Sequence, residues 1–176
     1  MATKTVTTFA ELKAAVQDAD TAEIILGADI TFSGGIGIPT TKKVLTIDGG
    51  GHTVTDNVST AYSDALYAPA GMGDATITVK NAKWSGRNYY GIICVVDATS
   101  NAGVTTILSN LTYNGPQAIY NRYGTTVVEN CNITLQKNGA SAAPQEFAEA
   151  NRLIFKGTTA IASESTSNAL IWFPFA

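Results

Sequence analysis

The stretch LTIDGGGHTV, Leu45–Val54, holds three consecutive glycines and the only histidine of the chain. A phosphate-binding loop carries a helix after its glycines and, in the Walker form, a Lys-Ser/Thr pair. Here HTVTDNV follows, His52–Val58, in which apolar and polar residues alternate as they do in a strand. Gly49, Gly50 and Gly51 are therefore expected to form the turn after a core strand. His52 is expected beside that turn and facing solvent. As a general base it would need an orienting carboxylate, and Asp48, its nearest acid in sequence, falls on the outward side of the strand.

The strand before the glycines has counterparts downstream. VLTIDG begins at Val44, ATITVKNAKW at Ala75, VTTILSNLTY at Val104, TTVVENCNIT at Thr125 and RLIFKGTTAI at Arg152. Aligned, they place Ile47, Val79, Leu108, Val128 and Phe155 in one inward column, at intervals of roughly 20–32 residues. The next residue is polar each time: Asp48, Lys80, Ser109, Glu129 and Lys156. The residue after that is Gly49, Asn81, Asn110, Asn130 or Gly157, and glycine and asparagine both tolerate the left-handed backbone of a turn. Asparagines stacked in this way can also hydrogen-bond from one repeat to the next.

A weaker apolar column lies between these strands, in ALYA from Ala65, GIICVV from Gly91, AIYN from Ala118 and ALIWF from Ala169, with PQEFAEA from Pro144 as the least regular member. AEIILGADITF from Ala22 supplies one more repeat upstream. Ahead of it, Thr8 and Glu11 have capping-box spacing, and Phe9, Leu12 and Val16 share one helical face. The expected architecture is all-β: a single domain over residues 1–176, with a capping α-helix at 8–18 and about six solenoid coils over 22–176. The helix would cover the open end of the stack.

With its capping helix, its LTIDGGGHTV turn and its asparagine column, the chain resembles right-handed, single-stranded parallel β-helices of the pectate-lyase-like superfamily. That resemblance implies the solenoid and leaves function open among polysaccharide lyases and hydrolases, bacterial adhesins, and phage tailspike and virion proteins.

Composition narrows the choice. Charged residues make up only 14 % of the chain and its net charge is −3, so there is no electrostatic case for nucleic acid or an anionic membrane as partner. No apolar stretch reaches the length of a membrane span. The N-terminal residues lack the apolar core and cleavage site of a secretory leader, which fits either a chain that works without that route or a piece of a longer one. Cys94 and Cys131 lie in apolar strand-like runs and are expected to be buried thiols. Paired acids for glycoside hydrolysis are not evident. Asp48 and Glu129 share a column with two coils between them, and Asp56, Asp64, Asp74 and Asp97 fall in loops. The superfamily's lyases are expected to use calcium held by clustered acids and an arginine base. Arg87, Arg122 and Arg152 do not sit in runs resembling those motifs. No catalytic residue, metal or cofactor is assigned.

Two other features suggest binding. RNYYG, Arg87–Gly91, and YNRYG, Tyr120–Gly124, both join arginine to tyrosine before a glycine, in comparable places of successive coils. Arg87, Tyr89, Tyr90, Tyr120, Arg122 and Tyr123 are thus candidate glycan contacts, since aromatic faces stack on sugar rings. The alternative is that these tyrosines pack over turns or at a subunit contact. The C-terminal run ALIWFPFA leaves Leu170, Trp172, Phe173 and Phe175 as candidate interface residues, because a solenoid end is ordinarily polar. Together these features favour a non-enzymatic structural or attachment protein. The preferred form is a phage virion surface component, a decoration or fibre protein, that assembles through the C-terminal run as a homo-oligomer. A trimer is what fibrous β-helices imply by resemblance. A cell-surface adhesin or glycan-binding module is the alternative, and a polysaccharide lyase or hydrolase the third.

Overall fold

The inward column is a stack of parallel strands. In the computed structural model of the chain, which describes residues 2–58, 65–138 and 143–174, Ile47 pairs with Val79, Val79 with Leu108, Leu108 with Val128, and Val128 with Phe155. The first four are at most 1 % exposed, as their alternation requires. Phe155 keeps its place in the register but is 46 % exposed, against expectation. The next strand of this sheet, Ile171–Trp172, pairs only with Ala148 and Glu149, so no described strand stacks on Arg152–Lys156 and the column ends open.

Three parallel faces make up the solenoid. The first carries Ala2–Val6, Thr21–Leu26, Val44–Asp48, Thr76–Lys80 and Thr105–Ser109, then the C-terminal parts of Ile119–Glu129 and Ala148–Lys156. The second is a six-stranded sheet of Ile30–Phe32, Thr53–Asp56, Lys83–Ser85, Thr112–Gly115, Asn132–Leu135 and Ala160–Ser163. The third carries Ile36–Gly37, Leu66–Ala68, Ile93–Val95, the N-terminal parts of the two long strands, and Ile171–Trp172. The weaker sequence column is this third face, and PQEFAEA does supply its irregular member: Ala148 pairs with Ile119. In most coils a loop separates the third face from the next first-face strand. The coil that begins at Ile119 has none, which explains its short repeat interval. Its strand runs on to Glu129 with a register shift between Asn121 and Thr125. Gly124 is needed at that bend, because a Cβ there would run into the Val104 carbonyl oxygen and the Asn121 side chain.

One helix, Phe9–Gln17, covers the N-terminal end. Both bonds of its capping box form: the Thr8 side chain accepts from the Glu11 N–H, and the Glu11 carboxylate accepts from the Thr8 N–H. Leu12, Ala15 and Val16 are buried, and the Phe9 ring lies 5.2 Å from Phe32, which in turn lies 5.5 Å from Trp84. Lys42, 4 % exposed, donates to the carbonyl oxygens of Asp18 and Thr21, placing a cation where the helix's carbonyl end is negative. The strand Ala2–Val6 before the helix was not legible in the sequence. Only Val6 of its five residues is buried, so it carries no apolar alternation.

The corner between the first and second faces repeats most closely. Asn81, Asn110, Asn130 and Gly157 have φ of 55°, 52°, 51° and 60°. In the Asp48 coil the turn is longer, and the left-handed residues are Gly50 and Gly51, at 58° and 84°, rather than Gly49. The His52 N–H closes this turn on the Gly49 carbonyl at 2.8 Å. Gly49 is required for a different reason, because a Cβ there would lie 2.5 Å from that of Ala82. Side chains link the coils along the corner: Asn110 Nδ2 donates to Asn81 Oδ1 at 3.2 Å, and Asn81 Nδ2 to Asp48 Oδ1 at 3.0 Å. Beneath it Ala82, Leu111 and Cys131 point inward.

Replacing Asn110 separates the two roles of this column. Asn110→Gly loses the bond to Asn81 but keeps a relaxed left-handed backbone, whereas Asn110→Ala loses both. The alanine variant should be less stable than the glycine variant by about 1 kcal/mol in urea unfolding.

Candidate binding surface on the third face

Side chains that alternate with the third face's buried residues point outward. Rung by rung, Tyr67 pairs with Cys94, Cys94 with Tyr120, Tyr120 with Glu149, and Glu149 with Trp172. One outward row therefore joins residues more than a hundred positions apart.

Tyr120 is the centre of this surface. Its hydroxyl donates to Asp97 Oδ2 at 2.8 Å, and its ring lies 4.4 Å from that of Tyr90. Burial, chiefly, holds the Tyr120 phenol well above its ordinary pKa, so it stays a donor. Tyr90 has φ of 61°, a left-handed backbone that bulky residues rarely adopt and that is strained where it occurs. Arg122, at the bend after Asn121, donates from Nη1 to Asp97 Oδ2 at 2.9 Å and to the Tyr120 hydroxyl at 3.3 Å. Its Nε lies 3.5 Å from Glu149 Oε2. The guanidinium sits 5.9 Å from the Tyr120 ring centre and 5.1 Å from that of Trp172, within reach of cation–π attraction. Glu149 is 5 % exposed and also accepts from Gln117 Nε2 at 3.2 Å. Burial first, then Glu146 beside it, pushes its carboxyl up to about 7.

Of the six proposed glycan contacts, Tyr89, Tyr90, Tyr120 and Arg122 come together. The Tyr89 ring lies 6.3 Å from Tyr90, and its hydroxyl accepts from Gln145 Nε2 at 3.3 Å. Tyr123 sits in the register shift after Arg122. Arg87 does not belong with them. It lies where the chain leaves the second face, donating from Nη1 to Asn57 Oδ1 at 2.9 Å beside the buried Asp56. RNYYG and YNRYG thus occupy different corners, not equivalent ones: the first leads from the second face to the third, the second from the third to the first. Of the C-terminal residues, Leu170, Trp172 and Phe173 are 41 %, 48 % and 41 % exposed, and Phe175 lies outside the described residues.

Asp97, Glu149 and Trp172 are the members that sequence reasoning did not place here. A signal existed. In each third-face segment, the residue after the first paired apolar one is Tyr67, Cys94, Tyr120, Glu149 or Trp172, a column of mixed residue types that carries no apolar periodicity.

Other candidate groups are dispersed. His52 Nδ1 lies 3.3 Å from Asp29 Oδ1 of the preceding coil, with both side chains substantially exposed. Asp48, Lys80, Ser109 and Glu129 pair rung to rung, leaving the two acids three steps apart as expected. Lys80 lies between Asp48, at 3.3 Å, and Glu23, at 3.6 Å. No cluster of three metal-ligating side chains occurs among the described residues, and no described helix is long and apolar enough to cross a membrane. Both cysteines are buried thiols, and Cys131 donates to the carbonyls of Leu108 and Glu129.

Residues 3–120 match the family model of a putative pectate lyase-like adhesive domain. The chain belongs to this family. The match includes Tyr67, Tyr90, Asp97 and Tyr120, while Arg122, Glu149 and Trp172 of this adhesive-domain chain lie beyond it. No curated protein matches in sequence. Similar solved structures are the L. reuters 100-23 SRRP, at 16 % identity and a TM-score of 0.63 over 91 % of this chain and 58 % of that one, and the L. reuteri 53608 SRRP, at 17 % and 0.56 over 90 % and 79 %. The likeness is one of fold, and the chain spans 58 % of the length of the first.

Glu149 makes stability depend on pH. An acid whose folded pKa exceeds its unfolded value of 4.5 favours folding when protonated, and that contribution is lost as pH rises through about 7. Melting temperature should therefore fall across that window in the native chain, and Glu149→Gln should flatten the fall while leaving stability below pH 4.5 nearly unchanged.

Proposed function

We propose that this chain is a non-catalytic attachment module of a cell surface and that its third face holds a surface glycan. The observation that carries this reading is the row of rings fixed on a strand face: Tyr120 against Tyr90, and Trp172 against an Arg122 anchored by Asp97 and Tyr120. Aromatic faces receive sugar rings, and side chains already held by packing and hydrogen bonds lose little entropy on binding. Membership of an adhesive-domain family supports attachment over turnover. The site's chemistry supports it too. Glu149, the one carboxyl here pushed up to about 7, is buried with its oxygens turned to Gln117 and Arg122, out of reach of a glycosidic oxygen. Asp97 is tied to Tyr120 and Arg122.

Retention of the intact chain on immobilised cell-surface polysaccharides tests this. Tyr120→Ala with Trp172→Ala should lower retention at least tenfold, and no unsaturated or newly reducing sugar should be released. Release of such sugars, abolished by an Arg122 substitution, would make the protein an enzyme instead.

A virion surface component that assembles through the C-terminal run is the second reading. The apolar end favours it: Phe155, Leu170 and Phe173 are all exposed there. This reading expects a trimer in sedimentation that Phe155→Ser with Phe173→Ser dissociates, and a native chain that sediments as a monomer removes it.

A further inference from the structure

We infer that the ligand of the third face is a linear, uncharged glycan lying along the solenoid axis and stacked at Tyr67, Tyr120 and Trp172. This rests on the glycan reading above and names the ligand's shape and charge. The row Tyr67, Cys94, Tyr120, Glu149, Trp172 carries a ring on every second rung, about 10 Å apart at ~4.8 Å per rung. The rungs between are recessed: Cys94 and Glu149 are 7 % and 5 % exposed, while Tyr67 and Trp172 are 36 % and 48 % exposed and the central Tyr120 is half-buried against Tyr90. Two raised outer rings, a half-buried central one and low rungs between them form a ladder whose pitch is comparable to the disaccharide unit of an extended chain. In-register pairing holds the rungs in a fixed order and spacing, so such a ladder suits a ligand of regular repeat aligned with it. A branched or globular ligand would touch one ring and miss the others.

The charge of the surface sets the class of sugar. Arg122 is the cation at its centre, but its guanidinium faces Asp97 and Glu149 and lies within cation–π reach of Tyr120 and Trp172. Glu146 adds a third carboxyl, against Glu149. A bidentate grip on a ligand carboxylate needs a guanidinium edge with no internal acid on it, and this one is already countered from within the protein. The chain's net charge of −3 acts in the same direction. Uronate, sialate and sulfate groups are disfavoured here, whereas neutral sugars bring no charge against these acids and meet rings to stack on.

Calorimetric titration of the intact chain tests both parts. The probes are β-1,4-linked oligomers of glucose, mannose, xylose and N-acetylglucosamine in graded lengths, with oligogalacturonates and hyaluronan oligomers as the anionic set. At least one neutral series should bind, with affinity rising until the oligomer spans three rings. Tyr67→Ala and Trp172→Ala should each weaken the longest oligomer about tenfold. Both side chains are exposed, and an unchanged melting temperature confirms that the variants fold. Tighter binding of an anionic series than of every neutral one overturns the charge assignment and leaves the attachment reading intact. Affinity independent of length, or indifferent to both substitutions, overturns the axial alignment. No binding to any oligomer, together with no retention on intact polysaccharides, overturns the inference and the attachment reading alike.

Discussion

Parallel stacking in register is the constraint on which the rest of this molecule depends. Each strand hydrogen-bonds to the same positions of the strands before and after it, so a side chain at one position of a coil lies about 4.8 Å from its counterpart in the next. Inward, this puts Ile47, Val79, Leu108 and Val128 in one dry column. At the corner it stacks Asp48, Asn81 and Asn110 into a hydrogen-bonded line. Outward, it turns residues scattered over a hundred positions into a row.

The same constraint makes the two ends of the stack unlike its middle. A coil in the middle is covered on both sides, whereas an end coil exposes core and unpaired strand edges. At the N-terminal end the helix Phe9–Gln17 buries Leu12 and Val16 against the core, and Lys42 secures the turn that follows the helix. At the other end the last rungs keep their register, yet Phe155 and Phe173 stay open to solvent. Burial of a solenoid residue thus depends on the next coil as much as on its own side-chain pattern.

Insertions and their absence shape the binding surface. Long loops between the third and first faces occupy most coils, but the coil of Ile119–Glu129 turns directly, and this sets Arg122 at a tight bend beside Tyr120. The loop carrying Asp97 arrives from the preceding coil and the strand carrying Trp172 comes two coils later. Three stretches that share no motif therefore meet on one guanidinium.

The repeat, the inward column, the glycine turn and the capped helix were determined by the sequence itself. They rest on alternation, on left-handed tolerance and on capping, all of which act between neighbours along the chain. Tyr90, Tyr120 and Arg122 were legible as candidates for the same local reason, an aromatic–arginine run before a glycine. Only the tertiary structure decided that Arg87 stands apart, that Asp97, Glu149 and Trp172 join the others, and that Phe155 is exposed. Irregular loops set how many residues separate one rung from the next, so two alike pentapeptides can land on different corners. Whether an outward residue meets a partner depends on what the neighbouring coils bring to the same rung, and whether an inward residue is buried depends on whether another coil covers it.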